Sequence, residues 1–261
     1  MEKARISIVI PTKNEAKYIG PTIGQFRDYL ESWNLEIIVS DAGSTDGTAE
    51  IVQQYQSEWG TARVKLIQSA GKQNIAIGRN LGAAAATGDI LFHTDADVHI
   101  PDKDRFFSKM LAVFEKPEVV AATTPIWVYP EEANFQDKFY HSLANFIIRL
   151  SFTVGVYLAK GECQFVRRSV FERIKGYNEK IVAGEDCNLF YRLHKEGRIA
   201  YLCRLKVHHS PRRFREYGYL RVSLIYLREG ASLLFLRKSY VETDPVKTTG
   251  HYPAPTPVAS C

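Results

Sequence analysis

Four short apolar runs, at residues 6–10, 35–39, 64–67 and 90–92, alternate with segments of helical apolar spacing, and this alternation constrains the fold more than any other feature of the chain. The runs are rich in Ile, Val, Leu and Phe, which suit a buried pleated surface. Between them, Asn14 precedes a pattern containing Ile19, Ile23, Phe26 and Leu30, Asp46 stands ahead of Ile51, Val52 and Tyr55, and residues 73–87 are rich in alanine. Strand and helix in turn predict an α/β fold, a mostly parallel sheet flanked by helices. Open sheets of that kind hold ligands beyond the carboxyl ends of their strands. Two acidic segments fall there: Ser40-Asp41-Ala42-Gly43-Ser44-Thr45-Asp46-Gly47-Thr48 after the second run, and Thr94-Asp95-Ala96-Asp97 after the fourth. A third, Asp102-Lys103-Asp104, follows Pro101 and reads instead as a helix cap with first-turn charge.

Beyond Pro101 the alternation loosens. The pattern predicts a helix over 103–115, a strand over 119–128, a long mixed segment over 135–159, a helix from Arg168, a turn at Gly176-Tyr177-Asn178 and a helix opening at Gly184-Glu185-Asp186. Residues 216–240 carry Leu220, Leu224, Leu227 and Leu234 near helical spacing with basic residues at both ends, a stripe that suits a core contact, a dimer contact or a membrane surface. Pro245, Gly250, Pro253, Pro255 and Pro257 predict a flexible tail over 243–261. The expected organisation is one domain over 1–242, with a nucleotide-binding half to about residue 100 and a less regular acceptor half over 101–215.

Composition narrows the function. With 34 basic and 29 acidic residues, the net charge of +5 suits an anionic small molecule or a membrane surface and gives no support for nucleic acid. The four cysteines lack zinc-site spacing and Met1-Glu2-Lys3-Ala4-Arg5 is not an apolar leader, so a cytoplasmic setting is expected, with the inner face of a membrane as one location. Arg149 interrupts the most apolar stretch, over 143–158, before it reaches the roughly 18 to 20 residues of a membrane span.

Neither a phosphate-binding Gly-x-x-x-x-Gly-Lys-Ser/Thr loop nor a Gly-x-Gly-x-x-Gly turn is present, so other groups must hold a ligand. Asp41 can accept from a base imide N–H, and Gly43 lets the backbone approach. Asp95 and Asp97 offer hard oxygen ligands for a divalent cation. Asp186, at a helix N-terminus that favours its charged form, suits a general base. His208 and His209 point oppositely on an extended chain, so one reaches the cation; His209 is favoured and His208 stays open. Arg212 and Arg213 offer planar forks for phosphate oxygens.

Taken in order, Pro11-Thr12-Lys13-Asn14-Glu15, the 40–48 segment, Gly78-Arg79-Asn80 with Gly88-Asp89, Asp95-Ala96-Asp97 and Gly184-Glu185-Asp186 resemble the motifs of family 2 glycosyltransferases of the GT-A fold, across about residues 5–215. The resemblance implies a nucleotide pocket formed by Pro11, Thr12, Asn14, Glu15, Asp41, Arg79, Asp95 and Ala96. It puts Asp97 on Mn²⁺ or Mg²⁺ with His209, and Asp186 in the role of base. Glu162, Gln164, Glu185, His208, Arg212 and Arg213 would face phosphate, sugar or acceptor. The implied donor is a UDP- or GDP-linked sugar, and the implied acceptor a glycan, a lipid phosphate or a small molecule. A sugar nucleotidyltransferase and a noncatalytic nucleotide-sugar or glycan-binding module are the alternatives.

Overall fold

The computed structural model describes residues 5–69, 74–181 and 183–224. Its first half follows the expected alternation: β1 (Ile6–Thr12), α1 (Ala16–Gly24), β2 (Leu35–Asp41), α2 (Thr48–Trp59), β3 (Val64–Gln68), α3 (Ile75–Ala84) and β4 (Ile90–His93). Then come β5 (Val98–His99), α4 (Lys103–Phe114), β6 (Val119–Thr123), β7 (Ile126–Val128), α5 (Phe135–Thr153), β8 (Gln164–Arg167), α6 (Arg168–Arg173), α7 (Glu185–Leu193), β9 (Arg198–Tyr201), β10 (Val207–His209) and α8 (Arg212–Tyr217). Seven strands form the central sheet in the order β3-β2-β1-β4-β8-β6-β9. All its pairs are parallel except those of β8, which runs against both β4 and β6. A second sheet has the order β5-β10-β7.

Local chemistry explains the element ends. Asp102 accepts from Arg105 N–H at 3.0 Å, the cap expected of it. Asn74 caps α3 in the same way through Ile77 N–H. Close approach of α3 to the sheet requires Gly82, where a Cβ would lie 2.5 Å from Val9 Cγ1.

Two expectations are corrected. The strand predicted over 119–128 is two strands in different sheets, because Pro125 has no N–H to continue a ladder. The mixed segment over 135–159 is largely the 19-residue helix α5, closed at its N-terminus by reciprocal bonds between Asn134 and Asp137. Most of its large apolar residues face outward and its buried residues are polar, which hid it from a reading that looked for an inward apolar stripe. The chain breaks from α8 at Gly218, with φ of 75°, and resumes as helix over 219–224. The rest of the stripe over 216–240, and the tail, lie outside the described residues.

Glu36, near the start of β2 and fully buried, holds the first half of the sheet together. Its carboxylate accepts from Ser7 Oγ at 2.6 Å, Thr87 N–H at 2.7 Å, Thr87 Oγ1 at 2.8 Å and Lys65 Nζ at 2.9 Å, with Arg5 at 3.1 Å. Burial alone would raise its pKa, but the bonds from Ser7, Thr87 and Lys65 override it and hold the carboxyl at about 2 instead of 4.5. A depressed folded pKa contributes stability that is present above pH 4.5 and lost as pH falls through about 2, worth about 3 kcal/mol. Glu36→Gln should therefore lower stability by about 3 kcal/mol near neutral pH and flatten the acid limb of denaturant midpoints between pH 4.5 and 2. An unchanged acid limb would exclude Glu36 as the hub.

Candidate active site

The carboxyl ends of β1, β2 and β4, the N-terminus of α7 and the segment around β10 converge on one acidic cavity. The β1 end sets its first wall. Asn14, at φ of 56°, accepts from Thr45 N–H at 2.9 Å while its own N–H donates to Ser44 Oγ at 2.8 Å, clipping the 44–45 loop to the strand. Pro11 packs beside Gly78 of α3. Asp41, expected to read a base, is fully buried. It accepts from Thr12 Oγ1 at 3.0 Å, Ser44 Oγ at 2.5 Å and the N–H groups of Gly43 and Ser44 at 3.1 and 2.9 Å. Four donors saturate the carboxylate, so Asp41 shapes the wall and has no oxygen left for a ligand.

Arg79 carries a second correction. Expected at the pocket surface, it is 1% exposed, and its guanidinium donates to Glu185 Oε1 at 2.8 Å and Asp95 Oδ1 at 2.9 Å. Beneath it lies the Tyr177 ring, 5.4 Å away, whose hydroxyl donates to Gln164 Oε1. Gln164, expected to touch sugar, is therefore floor beneath the cavity, as is Glu185. Asn80 ties the 177–179 turn to α3 through Tyr177 N–H at 2.8 Å and Tyr177 O at 3.0 Å. Gly161 leaves room for the guanidinium, since a Cβ there would stand 2.1 Å from Arg79 Nη2.

Burial and crowding dominate the electrostatics. Asp97 is nearly buried; burial raises its pKa to about 7, opposed by Arg212 and reinforced by Asp95, Glu15 and Glu162. Asp186, partly exposed at the start of α7, is also raised to about 7, first by burial and then by Glu185. This reverses the expected lowering by the helix N-terminus, because loss of hydration and a neighbouring carboxylate outweigh a partial dipole charge. Glu162 contributes to both shifts, and Arg79 joins Asp95 to Glu185, so Asp97 and Asp186 each stand two residues or fewer from one shared ion-pair network.

The β10 end supplies imidazole and guanidinium. His209 faces inward, with Nδ1 3.4 Å from Glu162 Oε1 and a buried Nε2 that has no hydrogen-bond partner. Burial, with Lys160 adding, holds its pKa at about 3, so the ring is neutral. His208 pairs in register with His99, and its pKa, lowered to about 4 by burial, responds to Lys206 and His99. Its charged neighbours are thus those of the β5 side, whereas those of His209 include Asp95. Arg212 holds Glu15 by a two-pronged pair at 2.7 Å and places Nε 3.3 Å from Asp97 Oδ2. Arg213 is partly exposed close by, acting on the titration of His209 and Glu185. Ala96 is buried, its carbonyl accepting from Thr22 Oγ1 at 2.6 Å.

Three participants escaped the sequence reading. His141 of α5 sits with its ring centroid 5.1 Å from that of His209. Lys160 is buried near Glu162 and Asp186, and the Tyr129 hydroxyl donates to Asp97 O at 2.5 Å. The only available signal was the polar series Asp137, His141 and Asn145 at i, i+4, i+8. Among the described residues no group of three or more His, Cys, Asp or Glu side chains is preassembled around a metal position. The donor chemistry nevertheless fits a hard divalent cation: carboxylates at Asp95 and Asp97 and an unpartnered neutral imidazole nitrogen at His209, with the Arg212 guanidinium as the cation that now answers Asp97.

The glycosyl transferase family 2 profile matches residues 7–175, and the chain belongs to that family. It is 30% identical over 194 residues to the succinoglycan biosynthesis protein ExoA of Rhizobium meliloti (strain 1021), covering 73% of this chain and 58% of that protein. It is 27% identical over 197 residues to the beta-monoglucosyldiacylglycerol synthase of Synechocystis sp. (strain ATCC 27184 / PCC 6803 / Kazusa), covering 73% of this chain and 40% of that one. The chain thus spans about half the length of these relatives. Among solved structures it resembles the mannosyltransferase PcManGT of Pyrobaculum calidifontis in complex with GDP-Man and Mn²⁺, with a TM-score of 0.64, 20% identity and coverage of 96% of this chain and 70% of that one. It also resembles the glucosyl-3-phosphoglycerate synthase of Mycobacterium tuberculosis in complex with Mn²⁺, UDP and phosphoglyceric acid, with a TM-score of 0.59, 16% identity and coverage of 90% and 78%. The fold is that of the GT-A glycosyltransferases.

Gly161→Ala should drive a methyl into the Arg79 fork and displace both of its carboxylate partners, lowering kcat/KM by about 100-fold with the fold retained. Wild-type kinetics with an unchanged thermal midpoint would show that this packing does not govern the site.

Proposed function

We propose that this protein transfers a sugar from a nucleoside diphosphate sugar to an acceptor hydroxyl or phosphate with inversion, Asp186 serving as base. The observation that carries the reading is the ion-pair network in which Arg79 joins Asp95 to Glu185 and so draws together Asp97 and Asp186, each with a pKa raised to about 7. Family membership and the nucleotide-bound neighbours support a sugar-nucleotide donor. A carboxyl of pKa near 7 is a stronger proton acceptor than an ordinary one and is still about half ionised at neutral pH. Deprotonation of the acceptor by Asp186 lets its oxygen attack the anomeric carbon as the bond to the diphosphate breaks. One displacement needs one base, so no second carboxylate nucleophile enters.

Asp97 and His209 would hold Mn²⁺ or Mg²⁺, with Asp95 beside them. When bound, that ion supplies Lewis-acid stabilisation of the charge developing on the departing diphosphate. Neutral His209 keeps a lone pair available for it, and Arg212 and Arg213 add positive charge at the phosphate side. Pro11, Thr12, Asn14 and Glu15 form the wall against which the nucleoside would lie, with Glu162 near the sugar.

Asp186→Asn should lower kcat by about 10²- to 10⁴-fold while leaving nucleotide affinity nearly unchanged in calorimetry. In the wild type a protonated Asp186 cannot accept a second proton, so the rate should rise with pH through about 7 and level off above it. Full activity of the Asn variant would remove Asp186 from the reaction. Chelation with EDTA should abolish transfer and Mn²⁺ restore it, with Asp97→Asn and His209→Ala each raising the Mn²⁺ concentration needed; undiminished turnover in EDTA would refute the cation.

A further inference from the structure

Helix α5 is inverted. Its buried residues include Asp137, His141, Asn145 and Ser151, while Phe135, Phe139, Leu143, Phe146, Leu150 and Val154 are 48–82% exposed. At about 100° per residue these apolar positions fall within one stripe some 100° wide, opposite the buried polar face. Inward polarity is largely tied down: Asn145 bonds Ile126 in both directions, at 3.2 and 2.9 Å, and Asp137 accepts from Arg215 at 2.9 Å, while the two ring nitrogens of His141 are buried without a hydrogen-bond partner. Among the described residues none of these six outward side chains belongs to either hydrophobic core cluster. A contiguous apolar stripe of this size on a surface otherwise mixed in character marks a contact with an apolar medium.

Charge selects which medium. Lys138 and Arg149 are the exposed charged residues of α5, lie about three turns apart, and so border the same edge of the stripe. Asp137, the helix's acid, is buried. The chain as a whole carries +5. A second copy laid antiparallel on the stripe would bring Lys138 of one α5 towards Arg149 of the other, which is repulsive. An anionic bilayer satisfies both the apolar stripe and its basic edge. No helix among the described residues is long and apolar enough to cross a membrane. We propose that α5 docks this protein flat on an anionic lipid surface, with Phe139, Phe146 and Leu150 seated at the headgroup–acyl boundary and Lys138 and Arg149 against lipid phosphates. Leu220 and Leu224, exposed just after Tyr219 packs on Tyr140 of α5, extend the apolar surface to the end of the described chain. The docking does not depend on the sugar-transfer reading.

Flotation of the full chain with phosphatidylcholine–phosphatidylglycerol vesicles, against vesicles of phosphatidylcholine alone, tests the proposal. The wild type should float with the anionic vesicles and far less with the neutral ones. The F139S/F146S/L150S variant should bind roughly 100-fold more weakly, and K138E/R149E roughly tenfold more weakly, both keeping wild-type circular dichroism. Phe146→Trp adds a readout that needs no loss of binding: its indole emission should shift to the blue when anionic vesicles are added. A wild type that stays with neither vesicle, a triple variant that floats undiminished, an indole emission of the Phe146→Trp variant that does not move, or an α5-dependent dimer in light scattering that ignores vesicles would each overturn it.

Discussion

A guanidinium buried to 1% exposure is tolerable only if its charge is answered on the spot, and Arg79 is answered from two directions. Glu185 comes from the start of α7 and Asp95 from the loop after β4, segments ninety residues apart in sequence. Burial works against its charge, while Tyr177, Asp95 and Glu185 act to keep it. Removing any partner would strand a charge in a medium with little water, so the two halves of the chain, which meet here at the loop after β4 and the start of α7, are fixed relative to each other by an electrostatic requirement. Gly161, Tyr177 and Asn80 are then explained as the space, the floor and the strap that this requirement imposes.

The same crowding sets the chemistry. Asp97 and Asp186 each resist ionising because they are desolvated among carboxylates, and Arg212 beside Asp97 and Arg79 beside Asp186 offset only part of that cost. Such a cavity has a surplus of negative charge that a divalent ion and a proton can both relieve, which is the property a site for metal-assisted proton abstraction needs.

Much of this was legible in the sequence because period and end chemistry agree there. The strands through β4, the α2 start at Asp46 and the Asp102 cap follow from apolar runs bounded by polar end residues. The opposite orientation of His208 and His209 follows from the two-residue period of a strand. What failed has one physical origin: pattern reading assumes that acids face solvent and apolar residues face inward. Asp41 and Arg79 looked like ligand groups but are consumed internally by partners the sequence does not pair, and α5 reverses the polarity on which its detection depends. The sign of the Asp186 shift likewise depends on burial, which only the assembled fold supplies.

Hydrogen exchange of Arg79→Met followed by mass spectrometry tests the central claim most directly. If one buried cation joins the two halves, protection of the segments around residues 94–97 and 183–187 should fall together, by a similar factor, while β1 and β2 keep theirs. Loss confined to α3, with both acidic segments still protected, would contradict the account.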